Sequence, residues 1–168
     1  TARQTAELGM PVELAASVPV RLASKPIRNG NRAEAEAFSA QGGGEARGRE
    51  DKKGVVGKAI SHWDAAGHWR EWQIPVARAG RYRLLLRYCA PHTARRRLAV
   101  NGTDLGEFRL PGSGGFGDAP GDWEHAWAAP AGQTLELDLP AGTHTVRLEN
   151  TDGKGLNLDY LILQETAE

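Results

Sequence analysis

The stretch SHWDAAGHWREW, from Ser61 to Trp72, holds three of the chain's five tryptophans and two of its five histidines. Histidine, aspartate and indole side chains this close could bind a metal, catalyse a reaction or grip a flat ligand. His62 and His68 alone are a thin zinc set, because such sites take three or four Cys, His or carboxylate ligands. As catalytic groups they lack an obvious serine or cysteine partner. Asp64, Glu71, Asp118 and Asp122 offer carboxylates for glycosidic cleavage, but that chemistry is defined by a separation the sequence does not carry. Ordinary loop polarity is the simpler reading of these four.

Other candidates weigh differently. GSGGFG, Gly112 to Gly117, matches a dinucleotide pattern, which requires a helix after it to hold the pyrophosphate. Pro120 and Gly121 follow instead, so a flexible surface loop is expected. Glu34 and Glu36, in AEAEAF, are two apart and would share one face of a strand. Like charges side by side repel unless a cation or a base lies between them. Asp159, in NLDYL, would add a third carboxylate if the last strand pairs near the first. Such hard oxygen ligands suit calcium better than zinc. On the residues alone, a solvated edge strand is the competing and simpler explanation.

Positioning these groups requires a core, and 168 residues are enough for one. Acidic and basic residues balance at 21 each, which argues against a nucleic-acid surface. The run Arg95-Arg96-Arg97 reads as a solvated strand entrance. No apolar run approaches the ~20 residues that span a membrane. The single cysteine, Cys89, lies in the apolar run YRLLLRYCA and is expected to act as a small hydrophobe. The chain begins at Thr1 rather than Met and reads as a mature or excised piece.

Short alternating runs separated by Gly and Pro signals predict an all-β domain of about nine or ten strands, a sandwich of jelly-roll type. Residues 33–40 alternate. Trp72, Ile74 and Val76 share a face, as do Tyr82, Leu84, Leu86 and Tyr88. Asn101-Gly102 marks a hairpin. Leu135, Leu137 and Leu139 form one inward row, and Leu156, Leu158, Tyr160 and Ile162 another. Residues 1–32 are Ala-, Pro- and Val-rich with weak periodicity, and read as a linker or the tail of a preceding domain, ahead of a sandwich over 33–166.

AEAEAF, GHWREWQIPVARAGRYRLLLRY, DWEHAW and AGTHTVRLEN followed by GLNLDYLIL together resemble carbohydrate-binding modules of families 35 and 6, in order and spacing, over roughly 33–164. The resemblance implies a non-catalytic β-sandwich attached to a secreted glycan-active enzyme, with an extracellular or periplasmic location. It implies a polysaccharide or oligosaccharide partner, a catalytic domain in the same parent protein, and no membrane or nucleic-acid partner. It implies a structural calcium held by Glu34, Glu36 and Asp159. It places Trp63 and Trp123 as two sugar-stacking rings and Asn157 as the hydrogen-bonding asparagine, with His62 and Asp64 beside the first ring. His68 stands where the family often has aspartate, and Trp63 where it often has tyrosine. Two alternatives stay open: an accessory domain that keeps the sandwich but binds no sugar, and a small glycan-active enzyme.

Overall fold

The computed structural model describes residues 18–19, 31–45 and 47–166; the segment 1–32 therefore lies almost wholly outside the described residues. The strands are β1 (Val18–Pro19), β2 (Arg32–Glu34), β3 (Ala40–Gly42), β4 (Arg47–Arg49), β5 (Ala59–Ser61), β6 (Trp69–Val76), β7 (Gly80–Cys89), β8 (Ala94–Val100), β9 (Thr103–Leu110), β10 (Glu124–Trp127), β11 (Leu137–Leu139), β12 (Gly142–Asn150) and β13 (Asn157–Glu165). They form two antiparallel sheets. One runs β1-β10-β7-β13-β5-β4, with β11 also on β7 and β2 also on β13; the other runs β3-β6-β12-β8-β9. The all-β sandwich is the architecture that the alternation predicts. The strands beyond the expected nine or ten are pieces of two or three residues, too short to show a period.

The core lies between the sheets because period-2 alternation sends every second side chain inward. Trp72 and Ile74 of β6, Val146 and Leu148 of β12, and Leu98 of β8 face Leu84 and Leu86 of β7 and Leu161 and Leu163 of β13. Fully burying each such side chain contributes about 1.5–3 kcal/mol. The hairpin at Asn101 (φ 50°) and Gly102 (φ 80°) uses left-handed backbone at both central residues, which matches the strand twist.

Two sequence expectations need correction. The alternation over 33–40 is not one strand: a 3-10 turn at Ala35–Ala37 interrupts it, and the Trp72 indole donates to Ala35 O at 2.9 Å. The row Leu156, Leu158, Tyr160, Ile162 is also broken. A bulge between Leu158 and Tyr160 shifts the register against β7. One extra residue exchanges the faces of everything after it. Leu156 and Leu158 stay in the core, Leu161 and Leu163 join them, and Tyr160 and Ile162 pack with Leu85 in a separate cluster.

Candidate functional site

At one end of the sandwich, the segment after β5, the 111–123 loop and the start of β13 enclose a concave site of about 270 Å³. Inward and outward positions continue to alternate past β5. Ser61 and Trp63 point in, while His62 and Asp64 are exposed at the rim. His62 takes a left-handed φ of 59°, uncommon without glycine, and its Nδ1 lies 2.9 Å from Ser61 Oγ. Phe116 supplies the aromatic surface and is 38% exposed. Gly155 lets the ring sit close, since a Cβ there would come within 3.0 Å of Phe116 Cζ. Asn157 donates to Phe116 O at 2.8 Å and so fixes the loop that carries the ring. Arg49 and Lys52 also line the site, with Lys52 packed against Gly117. Both are ion-paired, Arg49 Nε with Asp51 at 2.6 Å and Lys52 with Asp118 at 3.5 Å.

The structure brings His62, Asp64 and Asn157 together at this site, with Trp63 also in its lining. It does not present Trp63 or Trp123 as open platforms. Trp63 falls at an inward position and is fully buried. Its Nε1 donates to His68 O at 3.0 Å, its ring meets Trp72 edge-on, and the Arg96 guanidinium covers it at 4.3 Å. Trp123 is 8% exposed and packs with Ala59 and Cys89. Its Nε1 donates to Lys53 O at 2.7 Å, Arg87 lies 5.0 Å from the ring centroid, and Gly54 and Gly117 abut it. Both indoles are therefore loop anchors. His68 is also buried, with Nε2 donating to Gln41 Oε1 at 3.1 Å, and is absent from the rim.

Phe116 is not among the residues that the resemblance names. It lies inside the glycine run, where a lone aromatic among glycines is its one signal in the sequence. The loop is pinned: Gly117, Asp118 and Ala119 N–H groups all donate to Asp122 Oδ2. Glu71 accepts from Arg147 at 2.8 Å. Asp122 and Glu71 thus have structural partners. Burial pushes the Cys89 thiol up to about 12, consistent with a packing role.

The three expected calcium ligands are placed unequally. Glu34 ends β2 opposite Tyr160, Glu36 lies in the 3-10 turn rather than on the same strand face, and Asp159 sits at the β13 bulge. Glu34 and Glu36 each bury an Oε2 that has no hydrogen-bond partner, although Glu34 pairs with Arg32 at 2.6 Å. Burial raises the Glu34 pKa against Arg32, and Glu36 and Asp159 raise it further. Asp159 is fully buried, accepts from Val56 N at 3.1 Å and is ion-paired with Arg87. Burial raises its pKa too, opposed by the Arg87 hydrogen bond. Among the described residues no group of three or more His, Cys, Asp or Glu side chains is gathered as a metal set. The two orphaned glutamate oxygens fit a hard cation, whereas Asp159 is engaged by a guanidinium.

Among solved structures the chain is similar to a Paenibacillus cycloisomaltooligosaccharide glucanotransferase complexed with cycloisomaltoheptaose, at 25% identity and a TM-score of 0.66, over 80% of this chain and 18% of that one. It is similar over 80% of its length to 97% of a family 35 carbohydrate-binding module from Clostridium thermocellum, at 20% identity and a TM-score of 0.64. It is also similar, at 21% identity and a TM-score of 0.61, to a Podospora anserina GH26-CBM35 β-(1,4)-mannanase, over 82% of this chain and 28% of that one. The chain thus spans under a fifth of the glucanotransferase. No curated protein sequence matches it. Residues 49–163 match the family model described as carbohydrate binding module (family 35), and the chain belongs to that family.

Proposed function

We infer that this chain is a non-catalytic module that holds a glycan in the loop-end site, with Phe116 as the stacking surface. The observation that carries the reading is the half-exposed phenyl ring seated over Gly155 and flanked by His62, Asp64 and Asn157. A pyranose has an apolar C–H face and a rim of hydroxyls, and the site offers one group for each. Burying about 100 Å² of apolar surface contributes ~2.5 kcal/mol. Hydrogen bonds add about 1 kcal/mol each, less the cost of immobilising the sugar. Binding on the order of millimolar to micromolar follows. The test is a broad glycan panel probed with the parent chain and with Phe116→Ala. The parent binds one glycan class and the variant loses it; equal binding by both would refute the stacking assignment.

A structural calcium belongs to the same reading. Glu34 and Glu36 would supply carboxylate oxygens, and Asp159 a third once drawn from Arg87. The support is the pair of orphaned buried oxygens and the repulsion between their carboxylates. Calcium at about 100 times its dissociation constant adds roughly 2.7 kcal/mol of stability. Melting with chelator and again after calcium is restored reads this as a reversible rise; an unchanged midpoint would remove calcium from the account.

A second reading, an accessory domain without sugar binding, is favoured by the burial of Trp63 and Trp123, which leaves Phe116 as the exposed apolar ring at the site among the described residues. A blank panel, with the chain docked tightly on a catalytic domain, would select it. On either reading the parent protein is a glycan-active enzyme acting outside the cytoplasm.

A further inference from the structure

We propose that Arg96 is the residue that sets the geometry of the sugar-facing walls, acting from behind them; this rests on the loop-end glycan reading. Arg96 is the middle of the run Arg95-Arg96-Arg97. Alternation along β8 leaves Arg97 exposed and Arg95 half-buried but buries Arg96 completely. Its guanidinium lies on the Trp63 indole and donates to three carbonyls: Arg95 O at 2.7 Å, Trp63 O at 3.1 Å and Lys154 O at 3.2 Å. The nearest carboxylate oxygen, Asp152 Oδ1, is 3.8 Å away.

The last two carbonyls belong to two neighbouring wall segments, which meet where a Cβ on Gly155 would lie 3.7 Å from Asp64 Cβ. The Trp63 carbonyl lies between His62 and Asp64, and the Lys154 carbonyl directly precedes Gly155, on which Phe116 rests. A single nitrogen, Nη2, bridges both. The placement of the segment carrying His62 and Asp64 against the segment carrying Gly155 is therefore referred to one rigid planar group.

Hydrogen-bond satisfaction alone does not require it. Asn150 Nδ2 already donates to Trp63 O at 2.9 Å and to Lys154 O at 3.2 Å, while its Oδ1 accepts from Asp152 N and Gly153 N. A carbonyl oxygen accepts two bonds. With Asn150 alone the two walls share one amide; with Arg96 each carbonyl is fixed from two directions. A fully buried cation whose carboxylate partner, Asp152, stands at 3.8 Å is only partly compensated, and an apolar side chain packed on Trp63 would avoid that cost. Its presence here is accounted for by wall geometry. Arg96 touches no ligand and is a positioning residue.

The test uses the full chain, the best-binding oligosaccharide from the panel, and the variants Arg96→Met and Arg96→Lys. All are compared at a temperature where denaturation curves show each fully folded. Arg96→Met binds at least tenfold more weakly, Arg96→Lys falls between it and the parent, and Arg83→Met, remote from the site, binds as the parent does. Parent-like affinity in folded Arg96→Met would overturn the proposal, as would a loss that merely follows the unfolded fraction. If the parent binds no glycan, the sugar reading fails and the positioning claim is judged by amide hydrogen exchange. Faster exchange at 62–64 and 153–155 in Arg96→Met or Arg96→Lys, with β7 and β13 unchanged, supports it; unchanged or uniformly faster exchange refutes it.

Discussion

The two ends of the sandwich differ in the charge they bury. At the pocket end, Arg70, Arg96 and Asp159 are buried. Their partners are largely loop carbonyls, backbone amides and rings: Arg96 holds Trp63 O and Lys154 O, Arg70 stacks on Phe38 and meets Gln41, and Asp159 takes Val56 N beside Arg87. At the far end, the exposed arginines Arg78 and Arg81 pair with carboxylates, Arg78 with Glu165 and Arg81 with Asp138 and Glu136. Tight turns close the strands there, and the buried His144 bridges Asn101 and Pro140 O. Short turns define their own geometry through φ and ψ. Long loops do not, so the pocket end is held by buried polar groups that reach across from the strands. Exposed pairs contribute about 0–1 kcal/mol, whereas breaking a buried one is far more damaging.

That contrast can be broken at several points. The largest effect is expected from Trp63→Ala, at about 3–5 kcal/mol of stability. Urea denaturation checks it; a loss below about 1 kcal/mol would mean the ring is a surface platform after all.

Acid comes next. Burial, helped by Arg87, pushes the pKa of His125 down to about 4, while its ring meets Tyr160 Oη at 2.6 Å. The folded chain keeps this imidazole neutral, and the unfolded chain protonates it below its ordinary value near 6.5. Its contribution is complete above about 6.5 and is lost as pH falls towards 4, by at most about 1.4 kcal/mol per unit. His125→Gln should flatten the melting temperature between those pH values relative to the parent; an identical slope would remove His125 as the source.

The smallest effects are expected from Phe116→Ala and Arg81→Ala, each within about 0.5–1 kcal/mol by chemical denaturation. Their stabilities should match while only the first loses glycan binding. A large destabilisation by Arg81→Ala would erase the distinction between the ends.

Much of this was legible in the sequence, for a physical reason. Alternation reports which face a side chain takes, and Trp72, Ile74, Leu84 and Leu86 fall where it puts them. It fails where one residue is added or the backbone tightens. The bulge at Asp159 turned Tyr160 and Ile162 away from the core, and the 3-10 turn carried Glu36 off the strand. Asn157, His62 and Asp64, which the resemblance names, line one cavity. Trp63 and Trp123 were misplaced because indole size suggests a platform equally well as an anchor. Burial decides between the two, and here parity and the glycines at 54 and 117 decide burial. Phe116 was hidden because a glycine-rich loop has no period to read.

The most direct test of the central claim is amide chemical-shift mapping of the labelled chain, titrated with oligosaccharides from each class of the panel. The account predicts saturable shifts centred on His62, Asp64, Phe116, Gly155 and Asn157, with the far-end turn at Asn101-Gly102 unmoved. Shifts centred away from the loop-end site, or none with any class, would contradict it.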